Sequence, residues 1–367
     1  MYKLSRTRII LILLVCLIGI FFAIPNLIKN KEALPSWWQP VNLGLDLQGG
    51  SNLLLEVKID DVLKERMGTV EDSVRQVLRE NKIRYQNLKA GDTSVTVKID
   101  NLSARNQAMG LFKKLDNEMN VAETGNGVIE ITYNEMALNA LKKRIVDQSI
   151  EIVRRRIDEL GTKEPVIQGQ GTDRIVVQLP GLQNPEYVKS LLGKTAKMSF
   201  HLVDENSTAM DARRGKLSAA SRLAKGVGGE TYVISRKPII GGEHLVDSQP
   251  NFQEGSPVVS FKFDTVGGKK FGEVTKENVG SRLAIVLDNE VISAPVIQTA
   301  ILGGSGIISG NFTVKDANDL ALLLRSGALP APLEVLEERT VGAGLGADSI
   351  RDGITASVIG LIAVVIF

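Results

Sequence analysis

The chain has 367 residues, a formal net charge of +2 and 23% charged residues. That near-balance, with no basic stripe carrying interleaved aromatics, speaks against a nucleic-acid partner. The single cysteine, Cys16, lies inside an apolar run, so whatever folds outside that run is held by packing without disulfides, which a bacterial envelope permits as well as the cytosol.

Ile9 to Ile28 reads IILILLVCLIGIFFAIPNLI, twenty residues without a charge. A helix needs about 20 apolar residues to cross roughly 30 Å of hydrocarbon, so residues 9–28 are predicted as a first transmembrane helix. Lys3, Arg6 and Arg8 precede the run with no acid beside them, which assigns residues 1–8 to the cytoplasm and the polar region beyond the run to the outside. The run is longer than a signal-peptide core and no small-x-small site comes after it, so it reads as an uncleaved anchor rather than a secretory signal. Residues 354–367, ITASVIGLIAVVIF, are too short to span alone, and residues 349–367 read as the start of a second, truncated span. The polar region between the two is too long for one ordinary domain and predicts at least two lobes.

The linker at 29–42 carries Pro35, Trp37, Trp38 and Pro40. The paired tryptophans suit a membrane interface or the core of the first lobe. Leu43 to Val57, LGLDLQGGSNLLLEV, reads as strand, tight turn, strand, with Gly49-Gly50 supplying the positive φ of a two-residue hairpin. Asp46 and Gln48 then face away from Leu45 and Leu47, and the Asp46 carboxylate accepts from turn amides. Residues 58–133 read as a small α/β module: helix 60–80, strands 83–88 and 94–99, helix 102–119 and strand 127–133. Residues 134–160 predict a long helix with a stripe of Val146, Ile150, Val153, Ile157 and Leu160, ended by Gly161. Lys142, Lys143, Arg144, Arg154, Arg155 and Arg156 are placed off that stripe, on a solvated face.

Arg174 to Leu179 predicts a strand broken at Pro180-Gly181. Asn184-Pro185-Glu186 opens a helix that stops at Gly193. Strand 196–203 puts Met198, Phe200 and Leu202 on one face and His201 on the polar side. The polar run 204–230 predicts a mobile loop. Strands come next at 232–235, 258–263, 282–287 and 291–297, with a helix at 269–278. Thr313 to Asp316 resembles a capping box for a helix reaching Arg325, ended by Gly327, Pro330 and Pro332. The outer region is therefore α+β, with mixed and antiparallel sheets and no regular βαβ run.

Catalytic chemistry is sparse. Two histidines, His201 and His244, and no cysteine in the outer region make a zinc site improbable, the weak pair being His244 with Asp247. Gly193-Lys194-Thr195 ends like a phosphate loop, but position 188 is valine where the motif needs glycine. Gly304-Ser305-Gly306 lacks the flanks of a nucleophile elbow. No enzyme, cofactor or metal is expected.

Four segments together resemble one family. LGLDLQGG at 43–50, RIVVQLPG at 174–181, LALLLRSGALPAPL at 320–333 and TVGAGLGADSIRDG at 340–353, with RLAIVLDNEVISAPVI at 282–297, look like the motifs of the SecD family of bacterial protein-export membrane subunits. The residues carrying the likeness include Gly44, Asp46, Gly49, Gly50, Arg174, Pro180, Gly181, Arg325, Pro330, Asp348 and Arg351. The resemblance implies an RND-like, membrane-anchored periplasmic region with ferredoxin-like elements. Its base would be 43–193 with a return at 329–348, and its head 194–328. The module at 58–133 is a departure with no role implied. It further implies proton-motive-force-dependent export at the inner membrane, with SecF, the SecYEG channel, YajC, unfolded secretory polypeptide and lipid as partners. A proton-relay carboxylate would lie in spans outside this chain. An RND-like efflux subunit and an envelope sensor are the alternatives; the eight residues before the first run leave no room for a cytoplasmic output domain. Gly193 and Lys194, with Ser326 and Gly327, mark the two passages between lobes and are the expected hinge. Asp348 and Arg351, three apart, are expected to pair where the chain re-enters the membrane.

Overall fold

The computed structural model describes residues 6–27, 35, 38, 45–162, 164–182, 184–205, 207, 210, 216–218, 220–341 and 343–367. Helix α1 (Arg6–Ala23) continues as a 3-10 turn, Ile24–Leu27. Pro25 explains the change: it disfavours helical backbone at the residue before it and donates no amide. The twenty-residue helix expected over 9–28 is thus cut at Ala23. Among the described residues no helix is long and apolar enough to cross a membrane. Ile10, Leu11, Leu14, Leu17 and Phe22 of α1 are nevertheless exposed. Trp38 folds back onto this end, stacked on Phe21 at 4.8 Å and donating from Nε1 to the Phe21 carbonyl at 2.9 Å. Trp37 lies outside the described residues.

The hairpin expected at 43–57 does not form. Leu45–Gln48 is a helical turn, α2, and only β1 (Gly50–Val57) is a strand. Gly49 and Gly50 both have positive φ, but they turn helix into strand rather than strand into strand. Helix α3 (Ile59–Glu80) then leads to β2 (Gln86–Ala90) and β3 (Ser94–Lys98). Helix α4 (Leu102–Phe112) is shorter than read, because the chain turns and Met119 opens an extra strand, β4 (Met119–Gly125), before β5 (Val128–Tyr133). These strands form an antiparallel sheet in the order β2-β3-β5-β4. Its core joins Val95, Val97, Ile99, Ile129 and Ile131 to Met67, Val74 and Leu78 of α3 and Phe112 of α4.

Asn134 caps α5 (Glu135–Glu159) by accepting from the Ala137 amide at 2.7 Å, and Gly161 leaves the helix at φ +70°. The chain continues through β6 (Val166–Gln170), β7 (Arg174–Pro180) and α6 (Pro185–Leu192), whose N-cap is Asn184. A second core starts at β8 (Met198–Leu202). The polar run read as a loop contains β9 (Ser221–Gly226), which pairs with β10 (Thr231–Ser235). Then come β11 (Ile240–Gly241), β12 (Leu245–Gln253), β13 (Ser256–Phe263), α7 (Thr265–Glu277), β14 (Leu283–Leu287), β15 (Glu290–Ser293), β16 (Ser305–Ile308) and α8 (Val314–Ser326). The sheets here run β10-β9-β15-β14-β8-β11 and β12-β13-β16. Between them Phe200, Phe261, Phe263 and Phe271 pack with ring centroids 5.2 to 6.1 Å apart.

The chain returns through β17 (Leu333–Val341) to β1, completing a first sheet in the order β17-β1-β7-β6, and ends in α9 (Ala343–Ile366). Leu53, Leu55 and Val57 of β1 and Ile175, Val177 and Leu179 of β7 meet Ile145, Val153 and Ile157 of α5 in the first core. The architecture is α+β, with antiparallel and mixed sheets.

Thr313 and Asp316 do form the reciprocal capping box of α8: the Thr313 hydroxyl accepts from the Asp316 amide at 3.1 Å and the Asp316 carboxylate accepts from the Thr313 amide at 3.1 Å. Thr313→Ala is expected to cost about 1 kcal/mol, read as a lower urea midpoint; an unchanged midpoint would mean that α8 is held by packing alone.

Candidate functional site

Two places draw the sequence motifs together. The first is one end of the first sheet. The Gly181 amide donates to the Gly49 carbonyl at 2.9 Å, and Gly50 stands opposite both Pro180 and Val341. A Cβ on Gly50 would lie 2.2 Å from the Leu179 oxygen and 2.8 Å from Leu45 Cδ1. Glycine is required here by close approach, and its φ of +137° adds to the requirement. Segments 45–50, 174–181 and 340–353 therefore converge, with α9 packed on α2. Arg174 is at the far end of β7, exposed and 3.8 Å from Asp173. Gly44 and the Asp46 side chain lie outside what is described. Asp348 and Arg351 are both exposed on α9, and no ion pair joins them among the described residues.

The second place is the double passage between the two cores, at 193–197 and 326–329. Arg156, assigned by sequence to a solvated face, is instead fully buried there. Its Nη1 donates to the carbonyls of Leu191 at 2.8 Å and Lys194, and its Nη2 to Thr195 at 3.3 Å and Gly327 at 3.2 Å. One guanidinium thus holds both passages. Burial pushes its pKa down to about 10, which leaves it cationic at neutral pH, and the nearby Asp288 carboxylate favours the charge. Removing the guanidinium would leave those carbonyls without a donor, at about 1–3 kcal/mol for each that stays buried.

Asp288 works from the other side. It sits in the two-residue β14–β15 turn, where Asp288 and Asn289 both have positive φ, the type I′ pattern. Its carboxylate accepts from the Thr195 hydroxyl, from the Ala196 amide at 3.0 Å and from the Lys197 amide at 2.8 Å. The two passages also bond each other, the Leu329 amide donating to the Thr195 carbonyl at 2.8 Å. Gly193 has ordinary helical φ of −72°, whereas Gly327 has φ +93° with open space around it. The Ser326 hydroxyl donates back to the Leu323 carbonyl at 3.0 Å.

Around this buried centre runs a more exposed ring. Arg325 forms a fork with Glu159 and donates to the Ser248 carbonyl at 3.3 Å. The Tyr187 hydroxyl donates to Asp319, Lys315 lies 5.0 Å over the Tyr187 ring, and Lys197 pairs with Glu65. Beside the passage lies a cleft of about 550 Å³ lined by Glu65, Lys197, Arg222, Asp288 and Pro330. His201, expected on a polar face, is buried, with Nδ1 2.7 Å from the Ser235 carbonyl and Nε2 3.0 Å from the Ser199 hydroxyl; burial pushes its pKa down. His244 pairs with Asp264 at 3.0 Å rather than with Asp247. Among the described residues no group of three histidine, cysteine or acidic side chains is placed to hold a metal.

Three family models match the chain: the SecD/SecF GG motif at residues 39–58, the N-terminal part of the SecDF P1 domain at 146–205, and the SecDF P1 head subdomain at 219–331. The protein translocase subunit SecD of Rickettsia conorii is 47% identical over 373 residues, covering 100% of this chain and 71% of that protein. The Magnetococcus marinus SecD is 42% identical, covering 99% of this chain and 71% of that protein. The chain belongs to the SecD family of protein translocase subunits. A crystal structure of SecDF in a super-membrane-facing form aligns with a TM-score of 0.52 at 28% identity, over 98% of this chain and 39% of that one. Family membership carries a role in Sec-associated protein export.

Sequence reasoning missed Arg156 and Asp288. The signal for Arg156 was its position: it lies three residues after Val153 and four before Leu160, on the stripe itself.

Gly50→Ala is expected to destabilise by about 2–4 kcal/mol, from clash and strained φ. Gly68→Ala in α3, where a Cβ meets nothing within 4 Å, should stabilise by about 0.5–1 kcal/mol. Equal effects in urea unfolding would refute the close-approach reading. Burial, with the Asp319 carboxylate beside it, pushes the Tyr187 phenol up to about 12 from 10.0. Because the folded value is the higher, this stabilising contribution is full below pH 10.0 and lost as pH rises to about 12. Phenolate absorbance of the parent minus that of Tyr187→Phe should show this late titration; a midpoint near 10.0 would disprove the contact.

Proposed function

We propose that this chain is the polypeptide-handling part of a multi-pass Sec export subunit of the bacterial inner membrane. Residues 1–8 are cytoplasmic, α1 and α9 lie in the bilayer, and the region between them is periplasmic. The basic flank at Lys3, Arg6 and Arg8 supports that orientation. The exposed apolar side chains of α1 and of α9, such as Ile359 and Leu361, require a cover that lipid provides.

The base comprises residues 43–193 and 329–348, and the head 194–328. The observation that supports this reading is the pair of hydrophobic cores between which the chain passes twice, each time beside a glycine at a helix end, Gly193 and Gly327. The head holds emerging unfolded polypeptide and turns on the base about Gly193-Lys194 and Ser326-Gly327, driven by the proton motive force through spans outside this chain. SecF, SecYEG and YajC are its partners. The chain is not an enzyme: it holds a backbone rather than transforming a group. Strands β12 and β16 bound their sheet, each paired on one side only, and such edges accept an extended chain of any sequence.

A photo-crosslinker at Ile307, exposed on β16, should capture a stalled secretory chain. A crosslinker at Ala122, exposed on β4, should not. Capture only from β4 would move the binding role to the 58–133 module and overturn the head assignment.

A further inference from the structure

We infer that Arg156 is the pivot of the head: a positioning residue that ties both passages to one point of helix α5. This rests on the division into base and head proposed above. The geometry is specific. The carbonyls of Lys194 and Thr195 belong to the outgoing passage and that of Gly327 to the returning one, and all three meet one guanidinium with the Leu191 carbonyl of α6. A planar fork with several donors serves acceptors from several directions, which an ammonium on a flexible stem does not.

Burial ranks the contacts. Arg156 is fully buried, whereas the side chains of Arg325 and Glu159 are 36% and 32% exposed and those of Lys197 and Glu65 are 64% and 67% exposed. Water replaces the partners of an exposed pair at little cost, but it does not reach the buried guanidinium. A turn of the head therefore breaks the outer ring first and leaves the centre made. The carbonyls bonded to Arg156 stay in place, the backbone turns at the bonds that flank them, and the head swings as a unit around the guanidinium. The Arg156 Nε, buried without an acceptor in this pose, is a donor in reserve for a carbonyl that the swing brings near.

The test uses the full chain in its membrane complex, with Cys16→Ser and spin labels at Gln148 on α5 and Val266 on α7, both exposed. The parent is expected to show discrete label-to-label distances. Glu159→Gln should change the weights of those distances and keep their positions. Arg156→Lys, which keeps the charge and loses the fork, should replace them with a continuous spread. Discrete distances retained in Arg156→Lys, or the same spread in Glu159→Gln, would overturn the pivot. One fixed parent distance under all conditions would sink the turning head, while a spread in Arg156→Lys would still support the positioning role. If Arg156→Lys fails to fold, hydrogen exchange of the parent decides. The amides of Ala196, Lys197, Gly327 and Leu329 should be protected like those of α5, and exchange as fast as at the outer ring would refute the inference.

Discussion

A chain that leaves one hydrophobic core, builds a second and returns must carry polar backbone through the seam twice. Each carbonyl that the seam buries needs a donor, because an unpaired buried polar group is costly. Arg156 meets the requirement with one side chain, and Asp288 answers it from the opposite core with one carboxylate. The pairing of charges is indirect: cation and anion each bond backbone of the passage rather than one another. That arrangement fixes the position of main chain, which a direct ion pair between the two side chains would not do. With no cysteine outside α1, this seam has no covalent alternative.

The opposite end of the first sheet solves a related problem by removing atoms. Gly50 brings β1 against the Leu179 oxygen, a distance at which any Cβ is forbidden. The result places the end of β7, the end of β17 and the starts of β1 and α9 at one site. The first sheet therefore links a pole at which the apolar helix α9 begins to a core that abuts the passages.

The legible parts of the fold were those with local chemistry. Asn134, Asn184 and Thr313 announce their helices because a short acceptor before an apolar run has few other uses. RIVVQL alternates cleanly and is a central strand. The illegible parts depend on partners remote in sequence. Positive φ at Gly49-Gly50 fits a hairpin as well as a helix-to-strand turn, and only Pro180, some 130 residues away, decides between them. Strand β17, LEVLEERTV, is nearly all exposed, so its pattern carries no alternation; pairing with β1 makes it a strand. Arg156 was misplaced because residue type was weighed above position. Three carbonyls of the passages and one of α6 reverse the usual preference of arginine for solvent, and no local pattern encodes them. The family motifs, by contrast, were readable as a set, since Gly50, Pro180 and Gly327 are each constrained by backbone geometry.

Helix α3 extends the same logic to the module at 58–133. Its first turns place Ile59 and Leu63 in the first core, and its later turns place Met67, Val74 and Leu78 in the module core. One uninterrupted helix of 22 residues therefore serves two cores, and no glycine- or proline-rich linker separates them. The module cannot swing on the first core without breaking that helix. Glu65 stands between the two sets of apolar residues, and it is this residue that pairs with Lys197 on the passage. The module is thus a rigid extension of the first core that reaches the seam at the point where the chain crosses it. The second core shares α8 with a smaller cluster: Ala317, Leu320, Ala321 and Leu324 face the second core, while Leu322 and Leu323 face Leu191 of α6 and Leu160. The second core thus meets the rest through the seam, the exposed ring around it and this small apolar cluster.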